Sequence, residues 1–460
     1  MSEKKDLSRR EFLGASLVGG AALLAGPALF PSVQVPRKTG SDRPNILLII
    51  TDQQGLDTFS SLGCRHVHTT SLDRLKARAV TFAESYSANP LCSPARSSLF
   101  TGRTSSETGV VHNGLPIRSG IPNLGQWLSE RGYETVYVGK WHLPNGYQAE
   151  IEGFTVYPAG LGLRGTLGDR SVSRAAEAFL RSRAGSQPFF LVVSLLQPHD
   201  ICGWIRRHHK PLSRLPVTGI ESDLPPLPKN LQARPSEPRS AKIGRMPGWN
   251  DLSWRYYLWS YYRMVEEADR EVGRVLDALE ETGHARDTLV IFTSDHGEGR
   301  GRHGTVLKNF LYEEAVKVPL VVAFPGRIQE NVVVHERLVS GLDLVPTVCD
   351  FAGVPLPPRQ RGRSLRPLLE GRGVTWREFL VSEVRNDTGR MVRAGRFKLI
   401  VYRNDPTVQL FDLAEDPWET RNLAGEPRYA SELAELKRLL NQWETDLDLA
   451  PNAKGRFVLE

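Results

Sequence analysis

The chain has 460 residues, 40% hydrophobic and 24% charged, the make-up of an ordinary soluble globular protein too long for a single core. Its formal charge of +7 is inflated by residues 1–40, which hold more Lys/Arg than Asp/Glu, and no aromatic-interleaved basic motif accompanies it, so no nucleic-acid partner is expected. The four cysteines form no Cys-x-x-Cys pair, which excludes a zinc ribbon or a thioredoxin-type motif.

Taken in order, the first element is a targeting signal. Arg9 and Arg10 precede an apolar run rich in Gly and Ala, a pattern that resembles a Tat export signal more than a membrane anchor. The expected location is therefore periplasmic or secreted, with the Tat machinery as a partner. Residues 1–40 are read as signal and linker, 41–375 as the catalytic domain and 376–460 as a C-terminal subdomain.

Residues 44–54 form a continuous apolar run ending in Asp52 and Gln53, as a strand covered on both faces does. Leu72, Leu75 and Ala79 predict a helix over 67–82. The next landmark is Leu91-Cys-Ser-Pro-Ala-Arg-Ser-Ser-Leu-Phe-Thr-Gly-Arg103. It is expected to run into a helix with Ser97 and Thr101 in its first turns, adding positive potential near Cys92. Three more apolar runs end in ionisable groups: 133–139 in Lys140 and His142, 189–196 in His199 and Asp200, and 288–293 in Asp295 and His296. In open α/β sheets, ligands bind at the carboxyl ends of strands, so these positions converge on a candidate site.

Residues 202–250 are Pro-rich, basic around Arg206 and Lys210, and read as a surface excursion. An amphipathic helix follows over 254–282, stopped by Gly283. A strand over 318–324 and a Pro-rich connection over 345–371 come next. Short strands over 390–402 and 409–412, with a helix over 426–443, predict a small α+β unit on an antiparallel sheet.

Two chemistries can be read from the residues alone. At Cys92, Pro94 and Arg96 a thiol lies near a permanent cation, which could lower the thiol pKa or hold an anion; a buried small hydrophobe in a turn fits the spacing equally. Three residues between Cys92 and Arg96 are too few for a tyrosine-phosphatase loop. Asp52, Gln53, Asp295 and His296 form an oxygen-rich set suited to a hard cation, Ca2+ or else Mg2+, although strand-end Asp residues also cap helices.

The Cys-x-Pro-x-Arg motif closing on Thr101-Gly102-Arg103 resembles the signature of the sulfatase family, in which the cysteine is oxidised to formylglycine (3-oxoalanine) by a formylglycine-generating enzyme. That resemblance implies an alkaline-phosphatase-like α/β/α sandwich with a large mixed sheet and a small C-terminal subdomain. It implies hydrolysis of a sulfate ester, here expected on a sulfated carbohydrate. One hydroxyl of the Cys92 aldehyde hydrate would attack sulfur and the second would let sulfate leave. By the same resemblance Asp52, Gln53, Cys92, Asp295 and His296 hold the cation. Arg96, Lys140 and Lys308 stabilise sulfuryl charge, His142 promotes sulfate release, and His199 contacts sulfate or protonates the leaving oxygen. Gln53 stands where the family usually has Asp, and His296 where Asn is common. With Cys92 converted, Cys64, Cys202 and Cys349 permit one disulfide at most. The rival readings are a phosphonate or phosphate ester hydrolase on the same scaffold, and a non-catalytic sulfoglycan-binding protein with Cys92 unmodified.

Overall fold

The computed structural model describes residues 43–160, 164–183 and 185–459. The export signal read in residues 1–40 lies outside them. No helix among the described residues is long and apolar enough to cross a membrane.

The strands are β1 (Asn45–Asp52), β2 (Val80–Phe82), β3 (Ser85–Tyr86), β4 (Glu134–Gly139), β5 (Thr155–Tyr157), β6 (Phe189–Pro198) and β7 (Thr288–Ser294). They continue as β8 (Leu320–Ala323), β9 (Val332–Val334), β10 (Val339–Ser340), β11 (Phe379–Val384), β12 (Gly389–Ala394), β13 (Phe397–Tyr402) and β14 (Gln409–Asp412). The main sheet has eight strands in the order β5-β4-β6-β1-β7-β8-β2-β9. From β5 to β7 all pairings are parallel, whereas β8 runs antiparallel to β7 and β2.

Period-two alternation between two covered faces explains the unbroken apolar run Ile46 to Ile50 in β1. Ile46, Leu48 and Ile50 enter one core with Leu99, Phe100, Leu124 and Val345. Leu47 and Ile49 enter the other with Leu72, Val172, Phe179 and Val272. Helices therefore cover both faces of the sheet, giving an α/β/α sandwich as expected. Because β4, β6, β1 and β7 are contiguous and parallel, Lys140, His199, Asp52 and Asp295 all emerge at the same sheet edge.

Pairing between β1 and β6 is interrupted. Ile50 faces Ser194, yet Asp52 faces Pro198, so β6 carries extra residues in a bulge. The orphaned N–H groups of Leu196 and Gln197 donate to Asp169 Oδ1 and Oδ2 at 2.6 and 2.7 Å. A carboxylate on the helix Gly165–Ser182 thereby fixes the strand end that carries His199.

The structure corrects several expected boundaries. The helix expected over 67–82 is Thr70–Lys76, and β2 follows at once; Ala79 is buried but not helical. The helix of the Cys92 motif begins at Cys92 itself, so Ser97 and Thr101 lie in its later turns. The excursion over 202–250 opens with the helix Ile201–Arg207 and buries Trp204, Leu224, Leu231 and Trp249 against Trp254, Tyr257 and Tyr261. Within the expected connection, Leu344–Ala352 is a buried helix, tolerating Pro346 because its first turn needs no donor there. The long helix is Asp251–Glu281, with Gly283 just beyond it at φ +77°, where a Cβ would be strained.

The second sheet, β11-β12-β13-β14, is antiparallel. One face packs Leu380, Met391, Ile400 and Phe411 onto Tyr86, Phe310 and Tyr312. The other packs Val381, Val392 and Leu399 onto Leu436 and Leu440 of the helix Ala430–Thr445. Clamped on both sides, it belongs to the same compact unit as the main sheet.

Candidate active site

Cys92 is the first residue of the helix Cys92–Thr101 and is buried at the carboxyl edge of the main sheet. Its Sγ lies 3.1 Å from His296 Nε2 and 3.8 Å from Asp52 Oδ1. The following turn is held by Asn113 Oδ1, which accepts from Ser93 N at 2.9 Å, and by Ser93 Oγ, which donates to His142 O at 2.6 Å. His142 thus joins the nucleophile's turn through its backbone, at φ +64°, while its buried Nδ1 has no protein partner.

Arg96, one helical turn on, is fully buried. Nε donates to Asp295 Oδ2 at 3.0 Å and Nη2 to Asp52 Oδ2 at 3.2 Å. Nη1 donates to Lys140 O at 2.7 Å and Ser194 Oγ at 2.8 Å. The guanidinium is committed to protein acceptors and locks the two carboxylates in place. Four of its five N–H groups serve these acceptors, which gives it a positioning role and leaves one Nη2 N–H for the anion contact expected from the sequence. Lys140 Nζ also donates to Asp52 Oδ2.

Asp52, Cys92, Asp295 and His296 offer ligand atoms within 4.8 Å of one another. The two carboxylates sit in opposed environments. Burial is the strongest influence on Asp52 and pushes it up, but Lys140, His199, Arg96 and His296 together hold it well below the usual range. Asp295 is pushed up to about 6 by burial and by Asp52 beside it. His296 Nδ1 is 2.9 Å from Gly297 O, which can only accept. Nδ1 therefore carries a proton and Nε2 faces the cluster, where burial pushes the ring's pKa down but Asp295 and Cys92 raise it overall. Two carboxylates, of which Asp52 keeps Oδ1 clear of any strong donor, and an oriented imidazole fit a hard divalent cation.

Gln53 reaches toward the same place in a different way. At φ +74°, its backbone N donates to Asp295 Oδ1 at 3.1 Å. Its side-chain Nε2 donates to buried Glu298, and its Oε1 accepts from Lys308 Nζ and from Cys202 Sγ, the latter at 3.3 Å. Because an ammonium only donates and a carboxylate only accepts, the amide has one orientation, with Oε1 toward Lys308. Lys308 also lies 3.4 Å from Cys202 Sγ, and Cys92, Cys202 and Asp52 keep it charged despite burial. Burial and Asp52 push the Cys92 thiol up, yet Lys140, Lys308 and His296 hold it well below the usual range. Burial, Lys140 and Lys308 push His199 down to about 4, against a hydrogen bond to Cys92.

All the expected residues except His142 are therefore linked to Cys92 by a short chain of contacts, and His142 joins through Ser93. Sequence reading missed Glu298, Cys202, Ser194 and Asp169. Glu298 stands beside the Asp295-His296 pair and Cys202 just past His199, so proximity in sequence was a usable signal for both. Other ionisable side chains, His303, Asp200 and His208, have structural roles. His303 pairs with Glu314 at 2.9 Å and stacks on Tyr312, Asp200 accepts from Gly165 N, and His208 stacks on Trp204.

Asp169→Ala should destabilise the fold by about 2–4 kcal/mol, since each buried donor left unpaired costs about 1–3 kcal/mol. Thermal unfolding reads this directly. Turnover should fall as well, because the strand end bearing His199 loses its support. Asp169→Asn, which keeps one acceptor, should lie between; a variant as stable and active as the parent would contradict this role.

Comparison with known proteins places the geometry in context. The family model described as "Sulfatase" matches residues 44–354, and that described as "N-sulphoglucosamine sulphohydrolase, C-terminal" matches residues 301–446. A Delta 4,5-hexuronate-2-O-sulfatase of Bacteroides thetaiotaomicron is 31% identical over 436 residues, covering 88% of this chain and 89% of the relative. An N-acetylglucosamine-6-O-sulfatase of the same organism is 26% identical, covering 88% and 87%. The solved structure of a 2-O GAG sulfatase superposes with a TM-score of 0.79 at 30% identity, covering 88% of this chain and 92% of that one.

Proposed function

The chain belongs to the sulfatase family and is a sulfuric ester hydrolase, and we propose that it releases sulfate from a sulfated glycosaminoglycan-type carbohydrate using a formylglycine made from Cys92. The observation that carries the reading is the convergence of Cys92 with Asp52, Asp295 and His296, flanked by Lys140 and Lys308. The names of the relatives, which act on a hexuronate and on N-acetylglucosamine, support the substrate class. Sulfate release from a panel of sulfated saccharides tests it, with aryl phosphate and phosphonate esters as controls. Faster release from the phosphorus esters would favour the rival chemistry.

A formylglycine hydrate supplies paired hydroxyls, one nucleophilic toward sulfur and one through which the ester is later cleaved. A divalent cation, Ca2+ or Mg2+, supplies charge neutralisation at the sulfuryl oxygens. Asp52, Asp295 and His296 would hold that cation, and Gln53 Oε1, which accepts from Lys308 and Cys202 here, would join them only by turning away from those donors. Lys140 and Lys308 bind sulfuryl oxygens from two sides, and the buried setting strengthens both contacts. His199, neutral at pH 7 because its pKa is near 4, offers an N–H to sulfate; this favours a sulfate contact over a proton donor. His142, with Nδ1 unengaged, takes up a proton during release of sulfate. Arg96 fixes the carboxylates so that none of these groups must reorganise. The twin-arginine segment directs export, which N-terminal sequencing of the mature protein checks.

Chelation of the purified enzyme should abolish activity, and added Ca2+ or Mg2+ should restore it. Gln53→Asp adds a negative charge and should tighten cation binding by roughly tenfold, measured by titration of the stripped protein. Weaker binding would mean that Gln53 serves Lys308 and leaves the cation alone.

A further inference from the structure

The basic stretch at the start of the 202–250 excursion has no place in the mechanism above, yet it lies against the site. The helix Ile201–Arg207 follows directly on His199 and Asp200. At Gly203 an added Cβ would come within 2.7 Å of Arg164 Nη1 and 3.5 Å of Arg207 Nη1. Two guanidinium groups, one just ahead of the helix Gly165–Ser182 and one at the end of Ile201–Arg207, therefore meet over one patch of bare backbone. Any side chain at 203 would push Arg164 aside.

Both arginines are exposed, and among the described residues neither makes an ion pair. The acidic groups on adjoining residues are turned to other work. Asp200 Oδ2 accepts from Gly165 N at 2.9 Å, and Glu267 Oε2 accepts from Thr166 Oγ1 and Gln197 Nε2, both at 2.8 Å. Like charges brought together without a direct ion pair repel, and an anion seated between them lowers that repulsion. Planar guanidinium forks bind carboxylate and sulfate groups bidentately. The position is also the right one. Gly203 adjoins Cys202, whose Sγ lies 3.4 Å from Lys308 Nζ.

From this convergence we infer that Arg164 and Arg207 form a specificity subsite for a second anionic group on the substrate, borne by the sugar next to the ester being cleaved. The inference rests on the sulfated-carbohydrate reading and narrows it to doubly anionic saccharides. Carboxylate and sulfate share the required chemistry.

The test uses the full, matured enzyme and matched pairs of sugar sulfates. One pair differs by a uronate carboxylate, the other by a second sulfate. The readout is the ratio of kcat/KM for the doubly anionic member over the singly anionic one. Wild type should favour the doubly anionic member of at least one pair, and which pair identifies the group. Arg164→Ala and Arg207→Ala should each lower that ratio by about 10–100-fold, chiefly through KM, as expected for a lost charged hydrogen bond. Gly203→Ala, which displaces Arg164 without altering charge, should lower it in the same sense and by less. Ratios unaltered in all three variants would overturn the subsite, as would a wild type indifferent to the second anion in both pairs. Cleavage of aryl sulfate with no release from any saccharide would remove the carbohydrate reading, and the subsite with it. The first two outcomes leave that reading standing.

Discussion

Cys92→Ala should abolish sulfate release, with turnover reduced by more than about 10³-fold, the scale expected if the proposed covalent nucleophile is lost. The fold should survive. Among the described residues the thiol's side-chain contacts are to His296, Asp52 and His199, and the turn after it is held by Asn113 and Ser93 instead. Cys92→Ser is the sharper variant. Its hydroxyl could attack sulfur once, but the ester so formed lacks a second hydroxyl, so steady turnover should be lost as completely as with alanine. The reading also fixes what wild type must contain. The tryptic peptide spanning residues 79–96 should carry a carbonyl oxygen in place of the thiol and should react with a hydrazide. Fully active enzyme in which that peptide holds only alkylatable thiol would overturn the formylglycine proposal. It would leave the family membership intact.

Much of this site was legible because sheet physics writes itself into the chain. A strand covered on both faces carries an unbroken apolar run, so the polar residues that follow it mark its end; Asp52, Lys140 and Asp295 each lie just past such a run. Their convergence follows once the strands are parallel and adjacent. What could not be read depends on contacts far apart in sequence. Asp169 supports a bulge from a helix on one face of the sheet, and nothing in its neighbourhood signals that duty. Arg96 shows the same limit. Its charge suggests an anion site, whereas four of its five N–H donors go to Asp52, Asp295, Ser194 and the Lys140 carbonyl. The 202–250 segment was misread because aromatic packing by Trp204 and Trp249 needs no period, and periodicity was the evidence sought. Ala79 misled differently: it enters the same apolar layer as Leu72 and Leu75, so helical spacing ran past the helix end.

The second large effect is expected at Asp52, where stability and catalysis meet. Its carboxylate is fully buried and accepts from Arg96 and Lys140, with His296 3.9 Å away. Breaking a buried ion pair by removing one partner costs about 3–5 kcal/mol, because the remaining charge stays desolvated. Arg96 retains Asp295, so the penalty in Asp52→Asn falls mainly on Lys140. The double variant Asp52→Asn with Lys140→Met removes the stranded cation and should recover most of that stability. It should not recover activity, since a proposed cation ligand and a sulfate contact are both gone, and both variants should bind Ca2+ far more weakly than wild type. The pH dependence carries a definite sign. Asp52 is held below its unfolded value of 3.8, so below that value the unfolded state binds more protons. Its contribution is fully present above pH 3.8 and is lost as pH falls through the folded pKa, and Asp52→Asn should lack this acid-limb loss. A double variant no more stable than the single one would place the damage outside the Asp52–Lys140 pair. Ca2+ affinity unchanged in both would remove Asp52 from the cation site while leaving its structural role in force.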